Sequence, residues 1–448
     1  MIKTEIIPEK STFYGVKDSF HYEEICCFIA TGFFLGKSTW YRGLKVYPAA
    51  TIVSDNGKLN NWFEWKYNPR EINLKQATEE FAHIFESIIK NELKSNRVSL
   101  PVSGGLDSRT LASAIRNLNN EVFSYSYHFK NGHNESKYGK DVAKLCKFKF
   151  NSYEIKPGYL WGIIDQIKSI NDCYSEFTHP RQMAIFNQYS KLGDIFCLGH
   201  WGDVLFNDMG VPDDLNFSQQ LNVILKKITK PGGLELARTL WKDWGCEGNF
   251  DIYFRNRVED LFSRIKINHS ANARIRAFKS LYWAHRWTSV NLSFFKAAKP
   301  TFLPYYNEKI CRFICTVPEN LLKGRQIQIE YLKINSPDLA KVAWEQNRPF
   351  NLFNYDYNKL PWNIPYRAIS KGIRAMKHLS GRKHIQRNWE LQFLGQKNQE
   401  KLEKHLICNT IVPKKTISKY LNLFKDVNSE KYAHPISMLL TISNIRQT

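Results

Sequence analysis

The stretch Ser99-Leu100-Pro101-Val102-Ser103-Gly104-Gly105-Leu106-Asp107-Ser108-Arg109-Thr110-Leu111-Ala112 constrains this chain more than any other. It reads as a short apolar strand, a loop holding two glycines, and the first turn of a helix. A strand that delivers a Ser/Gly loop into a helix N-terminus aims unpaired backbone N–H groups and the positive end of the helix dipole at one point, which suits phosphate. Gly104 and Gly105 let the backbone approach an anion, and Ser103 and Ser108 add hydroxyl donors. Val102 and Leu106 frame the loop on either side.

Asp107 is the odd member of this set. A carboxylate beside a phosphate site repels the ligand unless a cation lies between them, so Asp107 predicts Mg²⁺ bridging it to phosphate oxygens. The helix dipole contributes only about 0.3–1 kcal/mol, so metal and cationic side chains must supply the rest. No Gly-Lys-Ser/Thr follows, which excludes a Walker A loop. A plain Ser/Gly helix cap is the alternative.

At 448 residues the chain is long enough for a large core and two domains. Its 43% apolar and 14% aromatic content excludes a disordered polymer. No uncharged apolar run approaches a membrane span and no signal segment opens the chain, so a soluble cytoplasmic protein is expected. The nine cysteines show no Cys-x-x-Cys and read as reduced, mostly buried thiols. Cys311 and Cys315, one helical turn apart, read as a core stripe. The excess of 64 basic over 42 acidic residues gives +22, concentrated around residues 366–378 and 381–384. Aromatics do not alternate with those basic residues as a base-stacking platform requires, so solvated helices are expected there, with a polyanionic partner as the alternative.

Along the chain, residues 1–70 read as a small β-rich module with a hairpin turn at Asp55-Asn56-Gly57-Lys58. Ile25–Ala30 is an apolar, helix-like run within it. Ala77, Phe81, Ile84, Phe85, Ile88, Ile89 and Leu93 recur at three and four and predict a helix over Leu74–Leu93. Past the loop come a strand at Glu121–Phe129, a polar turn at Lys130–Glu135, a helix at Ser136–Cys146, a strand at Phe148–Ile155, a helix at Arg181–Tyr189 and a strand at Ile195–Leu198. Alternating strands and helices predict an α/β fold with a parallel sheet flanked by helices, the loop lying at the carboxyl end of a strand. Beyond residue 215 the pattern is helical, with a proline-bounded break at Leu303–Asn307 before a helix at Glu308–Val317.

The fourth predicted strand runs into Leu198-Gly199-His200-Trp201-Gly202-Asp203-Val204. Asp203 thus leaves a glycine-containing turn after a strand, as Asp107 does. Two such carboxylates at neighbouring strand ends are candidates to share one Mg²⁺.

The hexapeptide Ser103–Ser108 resembles the pyrophosphate loop of the N-type ATP pyrophosphatases. With the Gly199–Phe206 turn and the Leu303–Asn307 break in order, residues 25–350 resemble the synthetase domain of asparagine synthetase. That resemblance implies ATP and Mg²⁺ as cofactors, a carboxylate adenylated with release of pyrophosphate, and attack by ammonia or another amine. It places nucleotide contacts at Val102, Ser103, Gly104, Gly105, Leu106, Asp107, Ser108, Leu198 and Gly199, and metal contacts at Asp107 and Asp203, with Asp203 also at the reacting centre. It divides the chain into a glutamine amidotransferase-like remnant (1–70), an ATP-dependent domain (71–350) and a basic helical extension (351–448).

The sequence departs from the family at several points. There is no Cys at position 2, so nitrogen is expected from free ammonia, an amine or a separate glutaminase subunit. The family's Glu that takes a proton from the amine falls on His200, a residue able to act as a base near neutrality or to pack under Trp201. The family's Pro-Phe-Leu-Asp becomes Pro304-Tyr305-Tyr306-Asn307, and its pyrophosphate lysine falls on Ile327 or Gln328, with Arg325 and Lys333 the nearest cations. These departures keep open a nucleotide-binding protein without turnover. The net charge keeps open a tRNA-modifying relative, although the loop sits far from the start and nucleic acid is not the expected partner.

Overall fold

Asn73 starts the helix that brings the chain to the sheet. Its side chain accepts the Gln76 N–H while the Gln76 side chain accepts the Asn73 N–H, both at 3.0 Å, which satisfies two donors left over at a helix start. The helix Leu74–Leu93 buries Ala77, Phe81, Phe85, Ile88, Ile89 and Leu93, the face its periodicity predicts.

The chain then enters a five-stranded, wholly parallel sheet. From one edge to the other the strands are Thr301–Phe302, Ile195–Cys197, Val98–Pro101, Val122–Phe129 and Lys149–Ile155. Val98, Ser99 and Leu100 are buried, as a central strand covered on both faces requires. From Val98–Pro101 the chain builds outward to Lys149–Ile155, then returns to build the other way. The reversal falls between Val98–Pro101 and Ile195–Cys197, and a crevice at such a switch point, at the carboxyl ends of the strands, is where open α/β sheets take ligands.

The computed structural model describes residues 1–7, 12–130, 132, 134–379, 390–407 and 409–445. Asn131 and His133 of the polar turn, the basic segment 381–384 and Cys408 lie outside the described residues. The other basic segment lies on the helix Ile364–Leu379. At the N-terminal end, short antiparallel strands accompany the helix Tyr22–Thr31, in which Cys26 and Cys27 are fully buried. All described cysteines are free thiols. Among the described residues no helix is long and apolar enough to cross a membrane.

Three elements differ from their sequence expectation. Arg181–Lys191 is wound as 3₁₀ turns broken at Ile185, where φ is −119° and ψ 17°, in place of an α-helix. Thr301–Phe302, between two prolines and too short for alternation to register, adds an edge strand paired with Phe196 and Cys197. The helix after the break ends at Ile314, three residues early.

The last helix, Ser429–Ile442, is buried from Tyr432 to Ile442. His434 ties it to the rest: Nε2 lies 2.8 Å from the Ile29 carbonyl oxygen and Nδ1 3.3 Å from Glu176 Oε2. The apolar core accordingly runs without a break from Ile6 to Ile442.

Candidate functional site

The Ser103–Ser108 loop is held by its own hydroxyls. The Ser103 N–H donates to Ser108 Oγ at 3.1 Å and the Gly105 N–H donates to Ser103 Oγ at 3.2 Å. The helix Leu106–Ile115 follows, and its first-turn N–H groups have no acceptor within the helix. Arg109, fully buried, fixes the loop from below by donating to the carbonyls of Gly104, Leu339, Val342 and Ala343. Glu345 closes over the loop. Its N–H donates to the Gly104 carbonyl at 3.2 Å, and a Cβ on Gly104 would stand 2.5 Å from Glu345 Cβ.

The turn after Ile195–Cys197 folds onto this loop. A Cβ on Gly199 would lie 3.1 Å from Asp107 Cβ, and one on Gly202 would run into Asp107 Oδ1. A side chain at Gly202 would force a shift, and one at Gly199 would be tight. Trp201 adopts φ +74°, and the turn it makes starts the short helix Gly202–Leu205, whose Asp203 is exposed. The loop and the turn thus bring Asp107 and Asp203 to the two sides of the switch point. Burial raises the Asp107 carboxyl above its ordinary range, Arg325 opposes that, and the charge of Asp203 adds to it.

Arg325 and Gln328 complete the Asp107 side. Arg325 is in the left-handed region at φ +64°, and its Nη2 donates to Asp107 Oδ1 and to Gln328 Oε1. Gln328 Nε2 donates to the same Asp107 oxygen at 3.1 Å and to the Tyr305 hydroxyl at 2.9 Å. Of the two cations named from sequence, Arg325 is at the site, whereas Lys333 pairs with Glu330 at 2.8 Å. Ile327 is core. Asn307, where the resemblance leads one to expect a carboxylate, caps the helix Glu308–Ile314 by accepting the Lys309 N–H at 3.0 Å.

Trp201 donates its indole N–H to Ser280 Oγ at 3.1 Å, and His200 meets Phe295 edge to face at 5.9 Å. Burial lowers the His200 pKa to about 4 against the pull of Asp203. It is neutral at physiological pH and a weaker base than an imidazole near neutrality.

Sequence reading missed Lys279, which stands at the head of a π-helical segment, Lys279–Thr288. Its Nζ lies 5.8 Å from the Trp201 ring centre and 5.3 Å from that of Trp283. Burial lowers its pKa to about 8, with Asp203 drawing it back up. The only sequence signal was a lysine set beside the aromatic run Tyr282–Trp287. The cover provided by Glu345 left no signal at all.

The donor set fits a bridging cation better than a cage. Among the described residues no cluster of three or more His, Cys, Asp or Glu side chains surrounds a metal position. Mg²⁺ typically takes one or two carboxylates and completes its octahedron with phosphate oxygens and water. Asp107 keeps Oδ2 clear of the Arg325 contact, and Asp203 is exposed.

Residues 80–283 match the family model for asparagine synthase. No curated protein matches the chain. Solved structures that resemble it include NMN synthetase from Francisella tularensis, 14% identical with a TM-score of 0.24, covering 48% of this chain and 94% of that one. NH3-dependent NAD synthetase from Campylobacter jejuni subsp. jejuni, in complex with the nitrate ion, is 13% identical with a TM-score of 0.22, covering 42% and 94%. Likenesses that distant say nothing of the chemistry.

Proposed function

We propose that this chain, with its asparagine synthase domain at residues 80–283, is an ATP-dependent ligase that adenylates a carboxylate and joins it to an amine. The observation that supports this reading is the close approach of Gly199 and Gly202 to Asp107, which sets the turn bearing Asp203 against the Ser103–Ser108 loop at one switch point.

Ser103, Gly104, Gly105 and Ser108 hold the β- and γ-phosphates through N–H and hydroxyl donors, framed by Val102, Leu106, Leu198 and Gly199. Asp107 and Asp203 would hold Mg²⁺, which supplies charge neutralisation on the phosphates. Arg325, released from Asp107, is a second cation for pyrophosphate. In the first step an acceptor carboxylate oxygen attacks the α-phosphorus and the bond to pyrophosphate breaks. In the second an amine nitrogen attacks the acyl carbon, the bond to AMP breaks, and a base takes the nitrogen's proton. Lys279, with a pKa of about 8, is the better matched base at neutral pH, and His200 borders the same space. Nitrogen comes from ammonia, an amine or a separate glutaminase subunit.

Carboxylate-dependent exchange of labelled pyrophosphate into ATP tests the first step. Exchange in the wild type that Asp107→Ala abolishes is the expected result, and exchange untouched by Asp107→Ala sinks the assignment. The contact of Arg325 with Asp107 Oδ1 favours one second reading, a nucleotide-binding protein without turnover. ATP binding with Mg²⁺, but no pyrophosphate release over a panel of carboxylates and amines, is its signature.

A further inference from the structure

A cavity of about 590 Å³ lies between the N-terminal segment, the end of the helix Phe250–Ser263 and the π-helical segment. Its volume suits a small metabolite. Five cations line it, Lys37, Lys45, Arg257, Arg264 and Lys266, against two carboxylates, Glu64 and Asp260. Both carboxylates are already engaged, Asp260 with Arg264 at 2.8 Å and Glu64 with Lys66 at 3.2 Å. Lys37 and Lys45 are half-buried, and among the described residues neither has an acidic partner.

Burial and the nearby Arg264 charge both work against the charged form of Lys37. Like charges gathered in a half-buried space are unfavourable unless an anion bridges them. Trp65 makes the same point independently: it lines the cavity, is 6% exposed, and its Nε1–H has no acceptor among the described residues. A buried donor left without a partner is costly. Lys37, Lys45 and the Trp65 N–H are all donors, and the aromatic side chains of Phe63, Trp65 and Tyr282 line the same cavity.

We propose that this cavity binds a small ring-bearing phosphate, with Lys37, Lys45 and the Trp65 N–H on the phosphate oxygens and Phe63 and Tyr282 along the ring. Lysine ammonium groups act as point charges toward phosphate, whereas the lining arginines, whose forks suit carboxylates, are already paired. The site is separate from the Ser103–Ser108 loop and does not depend on the ligase reading.

Isothermal titration of the full chain with glucose 6-phosphate tests it, with glucose, inorganic phosphate and citrate as further arms. Saturable binding of glucose 6-phosphate is expected. It weakens about tenfold in Lys37→Gln/Lys45→Gln, falls by a smaller factor in Trp65→Phe, and is unchanged in Asp107→Ala. The unliganded thermal midpoint of the lysine variant, close to that of the wild type, verifies that it folds. Absence of saturable binding, binding that survives loss of both lysines, or binding lost in Asp107→Ala overturns the proposal. Tighter binding of citrate than of either phosphate overturns the assignment to phosphate.

Discussion

Gly202 touches Asp107 so closely that a single added methyl group would collide with the carboxylate oxygen Oδ1. Two segments almost a hundred residues apart in sequence are thereby locked into one site, and the lock depends on the absence of a side chain.

Gly202→Ala is expected to force either Asp107 or the turn carrying Asp203 out of place. Overpacking of this kind costs about 1–3 kcal/mol, which urea unfolding reads. A displacement near 1 Å at a reacting centre costs roughly 100-fold in rate. Pyrophosphate exchange should therefore fall about 100-fold in a chain that still folds, and a Gly202→Ala chain with unaltered exchange contradicts the proposed role of the turn.

Arg325 is the cation that works against the burial-driven rise of the Asp107 carboxyl. The Arg325 side chain is 7% exposed and that of Asp107 21%, so Arg325→Met leaves a mostly buried carboxylate without its partner. Breaking such a pair costs about 3–5 kcal/mol. The sign with pH follows from Asp107, whose folded pKa lies above the ordinary 3.8. The folded state binds the proton more tightly, so this group's contribution to stability falls as pH rises from 3.8 through the raised value. Arg325→Met raises that value further and widens the window. The destabilisation should thus grow from acid toward neutral pH, as a pH series of thermal midpoints reads.

Much of this site was legible because its local rules are strict. The strand, the Ser/Gly loop and the helix start fix the placement of Asp107, and the periodicity of Leu74–Leu93 matches the helix to the residue. Two similar turns at adjacent strand ends bring the charge of Asp203 near enough to act on Asp107. What escaped sequence reading are contacts made across long separations by side chains without a pattern. Lys279 reaches the site by way of a π-helical segment whose winding has no periodic signature. Glu345 covers Gly104 from a single 3₁₀ turn, and Trp201 finds its partner in Ser280, 79 residues on.

A buried ion pair, His434 with Glu176, helps hold the last helix to the body of the chain. Burial alone would raise the Glu176 carboxyl, but His434 and then Lys230 bring it down to about 2 from 4.5. A carboxylate with a depressed folded pKa adds stability that is complete above its unfolded value and is lost as pH falls toward the folded one. His434→Leu is expected to cost about 3–5 kcal/mol near neutrality by leaving the buried Glu176 carboxylate without its main partner. The difference between wild type and variant should shrink as pH falls from 4.5 toward about 2. Urea unfolding near neutrality and at acid pH measures both.

Lys279 separates the two half-reactions. Its amine accepts a proton only when neutral, so with a pKa near 8 amide formation should rise with pH through that value and level off above it. Pyrophosphate exchange needs no such base and should show no matching rise. Lys279→Gln is expected to flatten the pH profile of amide formation and lower its plateau about 10²–10⁴-fold, with exchange largely kept. Lys279→Arg keeps the positive charge near Asp203 but holds its proton throughout this range, so it should resemble the glutamine variant in amide formation. A glutamine variant that keeps the rise near pH 8 assigns the base to another group, and an arginine variant with full activity reduces Lys279 to a fixed charge.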